Sequence, residues 1–265
     1  MEAIKAAVFL LLLIFSAAFG MVAKTMLPAK HQSRETTELV QLVITMLVTF
    51  ASIVMGLLVY SVKGSFDAGE SDMAAYAGQI VRLDTTLRAY GAEADPIRAQ
   101  LRAYTAGVIV STWPNEPISA PVQPLPAGPI MAPSVMESRS LGHGLSLIGD
   151  SIRRLHPQTA VQTELAAEGI LRFQEALTAR WQVIEQARPT ISMPFYAILT
   201  TWLMVIFICF GLNAPRNGFT IVMMSMCALS LSSAVFVMLD MDTPFTGLMT
   251  ISSDAMRAAL ADLLE

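Results

Sequence analysis

Charge is scarce in this chain. Lys, Arg, Asp and Glu together make up 14% of its 265 residues, against 54% hydrophobic residues, and the mean hydropathy is positive. A water-soluble globular domain carries about a quarter of its residues charged, so the composition reads as that of an integral membrane protein. The formal charge of −4 is mild, and no Lys/Arg cluster exists to track phosphates, which excludes a nucleic-acid partner. Cysteine is limited to Cys209 and Cys227, both inside apolar runs, where they serve as packing residues. The three histidines, His31, His143 and His156, lie far apart with no cysteine or carboxylate at a ligand interval, so neither a metal nor a cofactor is expected. Nor is there a nucleophile–base pair, a glycine-rich phosphate loop or a catalytic carboxylate pair at a usable spacing. The chain is therefore expected not to be an enzyme. Strand signals are missing as well, and the fold class expected is all-α.

What the chain has in abundance is long apolar runs. Leu39 to Val62 is a stretch of 24 residues without a charge, roughly 36 Å long at the helical rise and enough to cross a bilayer. Beyond Lys63 the apolar residues thin to a stripe of Phe66, Met73, Tyr76, Ile80, Leu83, Leu87 and Tyr90. Spacings of three and four, with one gap near Gly69, make that stripe the seam of a helix packed in water. One helix thus leaves the membrane and becomes the first member of an extramembrane bundle. Ala6 to Ala23 precedes it as a first span. Its Ser16 and Gly20 form a small-xxx-small edge, and the same run also suits a signal peptide cut after Gly20. Spans over 191–212 and 219–239 follow, joined by a short turn at Asn213–Gly218. On the last span Cys227, Ser230 and Ala234 share one face, and Ala228 with Ser232 the next, small enough for another helix to approach.

Between the second and third spans, residues 63–190 read as an antiparallel helical bundle. Asp95-Pro96 suits a helix start with the carboxylate as N-cap, followed by Ile97, Leu101, Tyr104 and Val108 on one face and a stop at Trp113-Pro114. Residues 114–133 hold seven of the fourteen prolines and read as an extended loop. Capping boxes Ser134/Glu137 and Thr159/Gln162 open two further helices. Their buried lines are Leu141, Leu145, Ile148, Ile152 and Leu155, then Ile170, Phe173, Leu177 and Ile184. Gly142-His143-Gly144 reads as a surface or interhelical histidine. Residues 240–265 close the chain with a turn and an amphipathic helix capped by Ser252/Ser253.

Two groups of residues are candidate sites. Gln41, Thr45, Thr49, Ser52 and Gly56 recur at spacings of four, four, three and four along one face of the second span. They either pack against a neighbouring span or line a wet path. The spans carry no acidic, basic or histidine side chain, which speaks against proton-coupled transport. The second group is the turn Asp240, Asp242, Pro244, Phe245 and Gly247. Asp240 and Asp242 suit either a cation site or, the reading preferred, a structural turn in which Asp240 meets a lysine or arginine at the interface, Asp242 caps the turn at Pro244, and Gly247 takes a positive dihedral.

The acidic pair Asp67 and Glu70 beyond the second span, the Trp113-Pro114 stop, and above all Asp242-Thr-Pro-Phe-Thr-Gly247 after the last span resemble the bestrophin-like domain family of four-span membrane proteins. The resemblance covers about Arg34 to the C-terminus. Its most specific part is the last motif, and His31-Gln-Ser-Arg34 departs from the His-Asn-containing connector that the family often carries. Through its name the family implies a likeness to bestrophins, which are oligomeric anion channels. The two functions expected are therefore an oligomeric pore with the second span at its axis, or a non-conducting membrane scaffold or sensor whose bundle binds a protein partner. The partners expected are the lipid bilayer and further copies of the chain. Lys24, Lys30, Arg34 and Arg216 lie in short connectors on one side, against Lys5 and Arg257 on the other. By the positive-inside rule this places the connectors in the cytoplasm and the bundle in the periplasm of a bacterial inner membrane.

Overall fold

The computed structural model describes residues 2–26, 34–116, 139–215 and 217–265. Among them the regular structure is helical: α1 (Glu2–Met26), α2 (Arg34–Tyr90), α3 (Asp95–Thr112), α4 (Arg139–Arg153), α5 (Ala160–Gln186), α6 (Met193–Asn213), α7 (Gly218–Met241) and α8 (Asp254–Leu264), with a short 3-10 turn over Ala92–Ala94. Helices α1, α6, α7 and the first part of α2 are long and apolar enough to cross a membrane. The chain forms two compact units, residues 1–65 with 189–249 and residues 66–188 with 250–265. The C-terminal segment is thus shared: the turn after α7 belongs to the first unit and α8 to the second.

In the first unit α1 is the hub. It packs on both α6 and α7, and its Phe9, Leu13 and Ala17 form a core with Leu203, Phe207 and Val235. These residues meet because the buried face of α1 recurs every three or four positions, and that face includes Ser16 and Gly20. At Gly20 the backbone of α6 comes so close that a Cβ would collide with the carbonyl oxygen of Ile208 and stand 3.0 Å from the Cα of Gly211. Farther along, the Ser232 hydroxyl donates to the Ala6 carbonyl at 2.9 Å, and Lys24 Nζ donates to the Ala214 carbonyl at the end of α6, 3.2 Å away. Of the two small-residue faces on α7, Ala228 and Ser232 are the pair buried in this core, while Cys227, Ser230 and Ala234 are exposed. The span of α2 contributes only Ile44, Ala51, Leu58 and Val62 as buried apolar residues. Most of its circumference is left outside the protomer.

The second unit is built from the far half of α2 with α3, α4, α5 and α8. Met73, Tyr76, Ile80, Leu83, Leu87 and Tyr90 of α2 are all buried, as are Ile97, Leu101, Tyr104 and Val108 of α3. Helix α3 packs on α4 and α8, and α4 packs on α5. Gly91, at φ 109°, makes the corner after α2. Asp95 is not the N-cap of α3: the 3-10 turn before it passes straight into the helix, so Ala94 holds that place and no side chain caps it. At α5, Thr159 does accept the Gln162 N–H at 3.1 Å. The returning bond from Gln162 Oε1 goes one residue earlier than a capping box requires, to the N–H of Gln158. On α5 the buried line runs through Phe173, Ala176, Arg180 and Val183, with Ile170 and Leu177 only half-buried. At α8, Ser252 accepts the Asp254 N–H, whereas the Ser253 hydroxyl caps no backbone N–H; it donates to Glu116 and accepts from Arg257 Nε. The proline-rich residues from 117 on and the Ser134/Glu137 box lie outside the described residues, as do Lys30, His31 and Arg216.

Two polar features run through this apolar seam. Asp84 on α2 accepts from Nε and Nη2 of Arg98 on α3 at 2.9 and 3.0 Å, and the two residues are 2% and 9% exposed. The Tyr76 and Tyr104 hydroxyls meet at 2.6 Å in full burial. Burial pushes the Tyr104 phenol up, and the nearby Arg180 charge pulls it part of the way back.

Candidate functional site: the polar face of the second span and the turn after the last

Gln41, Thr45, Thr49, Ser52 and Gly56 are all exposed in the protomer. The hydroxyls do not wait for a partner. Thr45 donates to the Gln41 carbonyl at 2.9 Å, Thr49 to that of Thr45 at 2.8 Å, and Ser52 to that of Val48 at 2.8 Å. Each hydroxyl has thereby satisfied its donor on the preceding turn and still presents lone pairs outward. Around Gly56 nothing lies within 4 Å of where a Cβ would stand. The face is consequently mildly polar, smooth and without fixed charge.

The turn after α7 is organised by two buried carboxylates. Asp240 is placed at the C-terminal end of a helix, where the macrodipole disfavours a negative charge. Its compensation comes from the backbone: the N–H of Leu248 lies 3.0 and 2.9 Å from the two carboxylate oxygens, and that of Met249 is 2.7 Å from one of them. Asp240 therefore meets peptide donors and not the lysine or arginine expected. Asp242 likewise does not cap the turn at Pro244. It accepts the N–H of Thr190 at 2.8 Å and that of Ile191 at 3.3 Å, on the segment leading to α6. Burial raises the Asp242 carboxyl above its ordinary range, with those two N–H groups opposing. Pro244 is buried and Phe245 half-buried.

Gly247 is needed for a reason that its sequence context does not show. Its φ is not positive; instead a Cβ there would stand 2.6 Å from Asp240 Oδ1. Any side chain would push the carboxylate off the Leu248 and Met249 donors, leaving a buried charge short of hydrogen bonds at a cost of about 1–3 kcal/mol or more. Gly247→Val should accordingly lower the yield of monodisperse protein recovered in detergent. Full recovery with lost activity would show the turn to be functional in its own right.

The geometry above ties the end of α7 to the start of α6 by a carboxylate–backbone clamp. The bestrophin-like domain profile matches residues 10–256, nearly the whole chain. The chain belongs to the bestrophin-like family. Solved structures agree in fold. A bestrophin homologue from Klebsiella pneumoniae, crystallised as a variant, superposes with a TM-score of 0.63 at 17% identity, with 98% of each chain covered. A membrane-protein variant gives 0.66 at 15% identity over 98% of this chain and 97% of that one. None of the curated proteins matches it. This bestrophin-like chain is therefore an all-α integral membrane protein with four apolar helices of spanning length.

The Asp84–Arg98 pair escaped the sequence reading. A signal was available, since Asp84 follows Ile80 by four residues and Arg98 adjoins Ile97. Both charges thus fall on or beside the apolar seam and call for a partner.

Proposed function

We propose that the protein is an oligomeric channel in a bacterial inner membrane, with the second span of each copy turned to a common axis, and not an enzyme. The observation that carries the reading is the free face of α2. Thr45, Thr49, Ser52 and Gly56 are all exposed in the protomer, while α1, α6 and α7 hold one another. A mildly polar face running most of a bilayer's depth suits water or its own copies better than acyl chains. The family membership supports the reading, since bestrophins are channels. Hydroxyl and glycine walls would select weakly, leaving ion preference to pore width and to charges such as Lys63 at the mouth. The helical unit, residues 66–188 with 250–265, then lies outside the bilayer, on the periplasmic side by the distribution of lysine and arginine in the short connectors.

The test is anion and cation flux from liposomes containing the purified protein, with Thr49→Leu beside the wild type. Thr49→Leu should abolish flux and leave the oligomer intact, because an isobutyl group at mid-span dries a narrow path. Flux unchanged by Thr49→Leu, or an oligomer that cross-links through α7 and not α2, would overturn the channel reading. A protein with no flux at all whose helical unit captures a protein partner would be the scaffold instead.

A further inference from the structure

We infer that the cleft between α2 and the start of α6 is a binding site for one acyl chain of a membrane phospholipid. The cleft measures about 470 Å³. Its walls are graded. Val54, Leu57, Leu58 and Phe195 line the part within the apolar run, and the hydroxyls of Ser61, Thr190 and Ser192 join Val62 and Ile191 at the other end. Ser61 is two residues from Lys63, where the charge-free stretch stops, so the polar end falls where the hydrocarbon core gives way to headgroups. That is the polarity profile of a lipid tail and its ester linkage. Size agrees: at roughly 30 Å³ for each group the size of a water or methylene, the cleft holds on the order of fifteen, the content of a single chain.

Two observations make this a built site and not an accident of two diverging helices. The rim is pinned from both sides, by the Ser65–Thr190 hydroxyl contact at 3.0 Å and by Asp242 holding the N–H groups of Thr190 and Ile191. A pre-formed, mostly apolar concavity with a few fixed polar groups is what binds apolar ligands. The cleft also has a defined aspect. At about 100° per residue, Val54, Leu57 and Ser61 stand roughly half a turn around α2 from Thr45, Thr49 and Gly56. If the polar face meets the axis, as proposed above, the cleft opens away from it, into lipid. A chain seated there braces the back of the helix whose front forms the path.

The test reconstitutes the full chain in phosphatidylcholine–phosphatidylglycerol vesicles containing a phosphatidylcholine with a photoactivatable diazirine on its acyl chain, and maps adducts by mass spectrometry. Adducts are expected on Leu57, Leu58 and Phe195, as well as on the outward Leu11 and Phe15 of α1. Leu57→Trp, which fills the cleft from a position 65% exposed, should abolish the first set and spare the second; Ser61→Trp should do the same from the polar end. Labelling of Leu11 and Phe15 with none in the cleft would overturn the proposal. So would a disulfide between protomers at Leu57→Cys, since a second copy would then cover the cleft. A separate Thr49→Cys cross-linking experiment reads the axial assignment. Failure there with cleft adducts retained would remove the channel geometry and leave the lipid site standing.

Discussion

Asp84→Ala should destabilise the helical unit by about 3–5 kcal/mol, the cost of stranding one member of a buried ion pair. Arg98 is left 9% exposed with its two strongest bonds removed. Its remaining acidic neighbour, Asp95, is 3.8 Å away and itself solvated. Arg88, which also reaches Asp84 at 3.2 Å, is half-exposed and can return to water, so the penalty falls on Arg98. Thermal unfolding in detergent should drop by roughly 10 °C or more, given about 2–4 °C per kcal/mol for a protein of this size. The decisive comparison is the double variant Asp84→Leu with Arg98→Met. Removing both charges together commonly costs little, so the double variant should recover most of the lost stability. If it proved as unstable as Asp84→Ala alone, the loss would be one of packing and not of a stranded charge.

Much of the fold was legible because it follows from periodicity alone. The seam from Met73 to Tyr90 is apolar at spacings of three and four, and all six of its members are buried as such spacing demands. The same logic holds in part at α5, where Phe173 and Ile184 are buried but Ile170 and Leu177 are half-buried. Its interior also takes in Ala176 and Arg180, whose burial is set by what lies opposite and not by their own hydropathy. Caps were less legible still. Asp95 and Ser253 have side chains suited to N-capping, but a 3-10 turn precedes the first and Glu116 claims the second. Local propensity states what a residue can do; long-range partners decide what it does.

The candidate sites show the same division. That Gln41, Thr45, Thr49, Ser52 and Gly56 share a face is arithmetic. That the face stays exposed in the protomer follows from how α1, α6 and α7 pack on one another, and no window of the α2 sequence contains it. At the turn after α7 the motif residues were identifiable, yet their bonds were not. Asp240 reaches eight and nine residues forward and Asp242 fifty-two back. A carboxylate beside a proline and a glycine suggests local turn chemistry, and here both carboxylates spend their acceptors on distant backbone.

Gly211→Leu should be the most damaging single change in the membrane unit. At this point α1 and α6 touch backbone to backbone: a Cβ on Gly211 would collide with the Ala17 carbonyl and stand 2.9 Å from the Met21 nitrogen and 3.0 Å from the Gly20 Cα. A flexible side chain could swing aside, but two helical backbones cannot. The larger residue must force the helices apart along their shared length. Separation forfeits the packing of Phe9, Leu13 and Ala17 on Leu203 and Phe207, so the cost should meet or exceed the about 1–3 kcal/mol typical of an overpacked core. It also removes the hub on which α7 rests, through Ser232 and the Ala6 carbonyl. The measure is the fraction of purified protein that stays monodisperse in detergent, with Gly56→Leu as the control. Gly56 has open space where its Cβ would stand, so that variant should be recovered like the wild type and differ only in flux. Equal recovery of both variants would mean that the α1–α6 contact is not what holds the four spans together.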